Sequence, residues 1–221
     1  MTRWPAVAPA LVVMVVLGGC ATTVTGTHTW PGARLERVLL TAADFPAGVQ
    51  YDRIIDDPGE SGAATSAPPM LSRPEGCSDG LTRVIEASAQ RGPGSAAKYV
   101  AAYDGARVVM TVLTWRLDLD QLAATAERCA EYETFFDPTD AGIPMTTTRI
   151  DGPRPDALTY RQTMTLSGVD NDVYFSFENI DTMAVFGIAF PTPNPGIAAK
   201  GGLPQTFLDI ADRQAERIDA G

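Results

Sequence analysis

Hydrophobic and polar positions along this chain follow three patterns: an apolar run near the start, period-two alternation through the middle, and stretches of helical period. The clearest alternation is "KYVAAYDGARVVMTVLTW", Lys98 to Trp115. Asp104-Gly105 between its two halves favours a two-residue type I′ turn, in which both turn residues take positive φ. Such a turn sets the register, with Tyr103 opposite Ala106, Ala101 opposite Val108 and Tyr99 opposite Met110. Those residues and Val112 then share a core-facing side, while Lys98, Ala102, Arg107, Val109, Thr111, Leu113 and Trp115 share a mixed one. One apolar and one mixed side predict a twisted antiparallel sheet with helices packed mainly on one face, an α+β fold.

Further strands are predicted at "VQYDRII" (49–55), Met145 to Ile150, Ala157 to Leu166, Asp172 to Glu178 and Met183 to Phe190. The last, "MAVFGIAF", is apolar on both sides, as a central strand would be. Helical period marks Asp118 to Glu133, where Asp118 and Gln121 resemble a capping box and Leu119, Leu122, Ala126 and Cys129 follow one stripe. It marks a final helix with Pro204 in its first turn and Phe207, Ile210, Ala211, Gln214 and Ile218 in line. A third helix is predicted from Ser78, with Leu81, Val84, Ile85 and Ser88 on one side. In "LLTAADFPAG", Thr41 caps a one-turn helix that Pro46 and Gly48 end. Asp56 to Pro69 is a loop of low hydrophobicity, and Asp170-Asn171-Asp172 is expected in a solvated turn.

The first apolar run differs from all of these. Arg3 precedes Ala6 to Leu17, a run of 12 residues broken only by Pro9. A spanning helix needs about 20 residues, so this length suits a signal peptide. "LGGC" follows it and resembles the bacterial lipobox, whose small residues admit the peptidase and whose cysteine carries the lipid thioether. The resemblance implies cleavage between Gly19 and Cys20 and lipidation of Cys20. The chain thus divides into a signal peptide (1–19), a lipidated cysteine with a threonine-rich tether (20–34), and a single domain (35–221). The expected address is the extracytoplasmic face of the cell membrane.

Loss of residues 1–19 would leave 16 basic against 27 acidic residues, a formal charge of −11. Such a surface repels phosphate backbones, which argues against nucleic acid as a partner and against polybasic attachment to lipid. Two lysines against fifteen arginines, with abundant Ala, Gly and Pro, suggest a GC-rich genome such as an actinobacterium's. Beyond Cys20 the chain has two cysteines, Cys77 and Cys129, an even number that in an exported protein points to a disulfide.

Candidate chemistry is sparse. The one histidine, His28, lies in the tether, so Ser-His-Asp and Cys-His arrangements and a zinc site are not expected in the domain. "GPGSA" is not a nucleophile elbow, "AKGG" is not a phosphate loop, and neither Asp56-Asp57 nor Asp170-Asn171-Asp172 has calcium-loop spacing. No metal or cofactor is called for. Carboxylate-only hydrolysis stays open, because its partners meet only in three dimensions.

The lipobox, the threonine tether, "LLTAADFPAGVQY", and cysteines at a helix start and inside a later helix together resemble uncharacterised mycobacterial lipoproteins. Their domain is similar to the extracellular sensor domain of PknH-type serine/threonine kinases. The resemblance implies an α+β domain with a ligand-binding cleft. It departs from the kinase sensors in allowing one disulfide where they carry two, and in having no kinase. The expected function is non-catalytic binding of a small molecule, lipid or glycan, with Leu113 and Trp115 as candidate lining residues. The alternatives are a module docking on an envelope protein and a carboxylate-based hydrolase.

Overall fold

The computed structural model of the chain describes residues 32–54, 70–83 and 94–221. The predicted signal peptide, Gly19 and Cys20, most of the tether, the loop at 56–69, and Val84, Ile85 and Ser88 lie outside the described residues. Among those described, nine strands form one antiparallel sheet: β1 (Gln50–Ile54), β2 (Leu71–Arg73), β3 (Ala96–Tyr103), β4 (Ala106–Leu113), β5 (Glu131–Phe135), β6 (Ile143–Ile150), β7 (Leu158–Leu166), β8 (Val169–Ile180) and β9 (Met183–Phe190). Their order is β1-β3-β4-β9-β8-β7-β6-β5-β2. Three helices accompany them: α1 (Ala33–Val38), α2 (Leu119–Arg128) and α3 (Gln205–Asp219). This is the α+β architecture that the alternation predicts.

The β3–β4 register is as the sequence implies, including Tyr103 opposite Ala106 and Tyr99 opposite Met110. The turn itself differs. Gly105 has a φ of 103°, but Asp104 keeps a negative φ. Asp104 is committed elsewhere: its N–H donates to Ala199 O (2.8 Å), its O accepts from Gly201 N (2.9 Å), and its carboxylate accepts from Asn194 N (2.8 Å) and Lys200 Nζ. These long-range bonds outweigh the local preference for a type I′ turn. Positive φ at both turn positions occurs instead at Ser167 (53°) and Gly168 (79°), between β7 and β8. Asp170, Asn171 and Asp172 are therefore strand residues paired to β7, not a turn. Asp170 and Asp172 accept hydrogen bonds from Thr165 and Thr163 across the pair.

β9 is an interior strand, buried on both sides as its composition implies. One side joins Tyr99, Met110 and Val185 to Leu35 and Val38 of α1 and to Phe207, Ile210, Ala211 and Ile218 of α3. Gly187 is required there, since a Cβ would come within 2.7 Å of the Phe207 ring. The opposite side packs Phe177, Phe186 and Leu113 against Leu81 and against Leu122 and Ala126 of α2. Two helices thus cover one face, and α2 lies over the other.

α2 is shorter than its predicted span. Asp118 caps it, accepting from Gln121 N at 2.9 Å, but it ends at Arg128, with Cys129 at its C-cap. From Glu131 the period changes to two: Tyr132 and Thr134 are buried while Glu131 and Glu133 face solvent, which is β5. Helical onset after Cys77 also shifts. The Ser78 hydroxyl donates to Met70 O, and the first turn instead runs from Asp79 O to Arg83 N.

Candidate functional site

The sheet ends differ in character. The end carrying the Asp104-Gly105 turn also carries the start of α3 and the 3-10 turn Ala42–Asp44. That turn is capped as the sequence implies, with Thr41 N and Oγ1 both donating to Asp44 Oδ2 (2.7 and 2.9 Å). Asp44 is then gripped from α3. Arg213 Nη1 donates to Asp44 O (2.7 Å), and Arg217 Nη2 donates to its carboxylate (2.8 and 2.9 Å). Hydrogen bonds from Thr41, then the Arg217 charge, hold the Asp44 carboxyl below its ordinary range, against the opposing effect of burial.

Between this turn, the end of β3 and the first half of α3 lies a groove of about 530 Å³. Pro46, Tyr103, Thr206, Asp209, Asp212 and Arg213 line it. The Arg213 guanidinium stacks over Phe45 at 5.4 Å, so its position is set by both a ring and a carbonyl. Phe45 in turn meets Tyr51 and Tyr99, whose rings lie 5.5 Å apart. Gly201 lets the segment before α3 lie against Tyr103, because a Cβ there would come within 2.8 Å of the Tyr103 Cβ. Burial raises the Tyr103 hydroxyl above its ordinary range although Arg213 opposes it, so the groove presents a neutral phenol beside a guanidinium and two carboxylates.

A second groove, of about 410 Å³, opens at the other end of the sheet along the loop from Asp151 to Ala157. Arg149 and Arg154 contribute to its lining.

Leu113 and Trp115 line neither groove. Leu113 is 1% exposed, inside the cluster beneath α2, and Trp115 packs against that same cluster. This corrects the assignment of Leu113 as a ligand-lining residue: α2 covers that part of the hairpin's mixed side and makes it core. Cys77 and Cys129 are joined by a disulfide, buried beside Tyr132. Burial pushes the Tyr132 hydroxyl up to about 12.

Sequence reasoning missed Tyr103, Asp209 and Arg213. The α3 stripe identified the helix's inward side, but nothing local announces that Arg213 meets Phe45 and Asp44, 169 residues away.

No family model matches the chain, and no curated protein matches it. A solved structure that resembles it is the X-ray structure of an uncharacterized protein, the Rv0999 ortholog of Mycobacterium smegmatis. The two are 14% identical, with a TM-score of 0.45 over 86% of this chain and 95% of the other. At that distance the site's chemistry rests on its own residues.

Proposed function

We propose that this chain is an exported lipoprotein, held on the extracytoplasmic face of the cell membrane through an acylated Cys20, whose domain binds a ligand without transforming it. The groove at Tyr103 and Arg213 carries the binding half of this reading. Its volume of about 530 Å³ suits a small ligand, and its walls belong to a strand end and a packed helix. A guanidinium, two carboxylates and a phenol would hold a compound bearing both charges, or several hydroxyls. "LGGC" at 17–20 and the Cys77–Cys129 disulfide favour export to an oxidising compartment. α1 begins beside the β8–β9 turn, where Arg34 Nη1 donates to Thr182 Oγ1 at 3.1 Å. The groove lies at the opposite sheet end from the start of α1.

Two measurements test this. Cys20→Ala should move the protein from the detergent phase to the aqueous phase, or leave it uncleaved; unchanged partitioning overturns the anchor. The purified Cys20→Ala protein should gain thermal stability with one of a panel of envelope lipids, glycans and peptides, without turning it over. Arg213→Ala should abolish that gain. Turnover lost on changing a single carboxylate would establish a hydrolase instead.

The exposed tip of the β7–β8 hairpin favours a second reading, docking on an envelope protein. Leu166 and Val169 face each other there at 49% and 61% exposure. In that case Leu166→Ser with Val169→Ser abolishes capture of the partner, and no small ligand shifts the melting temperature.

A further inference from the structure

Glu178 occupies an apolar row. It lies on β8 opposite Val185 of β9, on the side of the sheet that carries the apolar cluster shared with α3. Its side chain is 4% exposed. An ionised carboxylate so placed costs several kcal/mol unless it is paired. The pairing comes from the loop between β6 and β7. Arg154 donates from Nε to Glu178 Oε1 at 2.7 Å, and from Nη2 to Asp219 Oδ2 at 2.7 Å. One guanidinium therefore ties the loop, β8 and the last turn of α3 together.

The charges around Glu178 are unbalanced. Arg154 and Asp156 face it from the loop and Asp219 from α3, so one cation serves three acids. β9 brings only apolar side chains. Arg154 also belongs to the lining of the 410 Å³ groove, together with Arg149, Asp151 and Pro153. The clasp and the groove share a residue.

We propose that the Arg154 clasp is an acid-operated latch on this groove: proton uptake by Glu178 releases the 151–157 loop from β8 and opens the groove. Burial raises Glu178 above the ordinary glutamate value of 4.5, Arg154 pulls it back, and Asp219 and Asp156 push it up again. The charge is thus lost at a pH where a solvated glutamate still keeps it. A neutral Glu178 retains a carbonyl for the Nε–H group but loses the charge-assisted part of the bond. The motion is confined to the loop, in which only Ala157 is buried, because α3 keeps its apolar stripe. Global stability moves the other way. A carboxyl with a raised folded-state pKa contributes stability that is present below 4.5 and lost as pH rises through the folded value. The latch therefore loosens locally without weakening the fold.

Hydrogen exchange of the full-length chain tests this, corrected for the intrinsic pH dependence of amide exchange. Loop amides of residues 151–157 should exchange about tenfold faster on the acid side of the Glu178 titration, followed by carboxyl 13C NMR, while α3 amides do not change. Glu178→Gln should hold the loop at its acid-side rate at every pH. If that variant does not fold, the wild-type comparison of loop and α3 amides still decides. Corrected loop exchange that is flat across the Glu178 titration overturns the latch, as does a Glu178→Gln loop that keeps the wild-type profile.

Discussion

On the face carrying α1 and α3, one apolar cluster runs from Leu35 to Ile218 and takes in Tyr99, Met110 and Phe207. Beneath α2 the buried residues divide in two, one cluster around Phe177 and Phe186 and another around Cys77, Cys129 and Tyr132. Helix length accounts for much of the difference. α3 has 15 residues, about 22 Å, and its stripe of six buried residues crosses β4, β9 and β8. α2 has 10 residues and two buried positions, Leu122 and Ala126. The disulfide supplies what that short helix does not, by tying residues 70–83 to the α2 C-cap. One face is held by continuous burial, and the other by burial plus a covalent link.

The largest effect should come from breaking the continuous face. Phe207 is fully buried against Gly187, so Phe207→Ala should cost about 4 kcal/mol in chemical denaturation. A loss below about 1 kcal/mol would mean that this face is not the main support.

Breaking the stapled face should cost somewhat less and act more locally. Cys129→Ser removes a link closing 52 residues and buries a hydroxyl, which should cost about 3 kcal/mol. Hydrogen exchange should rise in residues 70–83 and α2 while α3 keeps its protection. Equal loss in both regions would show that the two faces unfold as one unit. In the folded protein Cys77 and Cys129 should resist alkylation until reduced.

The smallest effect is pH-dependent and sharpens the first face. With its folded-state pKa lowered, Asp44 contributes stability that is present above its ordinary value of 3.8 and lost as pH falls through the folded value. Asp44→Asn should therefore cost about 1 kcal/mol at pH 7 and nothing once the wild-type carboxyl is protonated. A deficit that persists unchanged in strong acid would assign Asp44 a purely steric role.

Much of the framework was legible because its signals are local. Alternation in 98–115 gave both the strands and their pairing, and Phe207, Ile210, Ala211, Gln214 and Ile218 lie buried along α3 as the 3.6-residue period implies. Where two periods meet, the boundary blurred. The predicted helix runs on to Glu133, yet β5 begins at Glu131 because Tyr132 and Thr134 pair with β6. α1 was missed because six residues following a threonine-rich stretch carry too little period to stand out.

The candidate site was not legible at all. Leu113 and Trp115 looked available because the hairpin's second side is mixed, and only the position of α2 shows that side to be covered. Tyr103 and Arg213 belong to elements more than a hundred residues apart, and Arg154 reaches Glu178 and Asp219 across 24 and 65 residues.

By itself, then, the sequence determined the core-facing side of the β3–β4 hairpin and of α3, because burial imposes a period that short windows reveal. It also determined the β3–β4 register, because a two-residue turn leaves no other pairing. Tertiary structure alone decided the φ of Asp104, the strand character of Asp170 and Asn171, and which polar side chains meet at Asp44 and at Arg154. Those outcomes depend on hydrogen bonds and ion pairs between distant elements, and periodicity says only that a residue faces in or out, never what it faces.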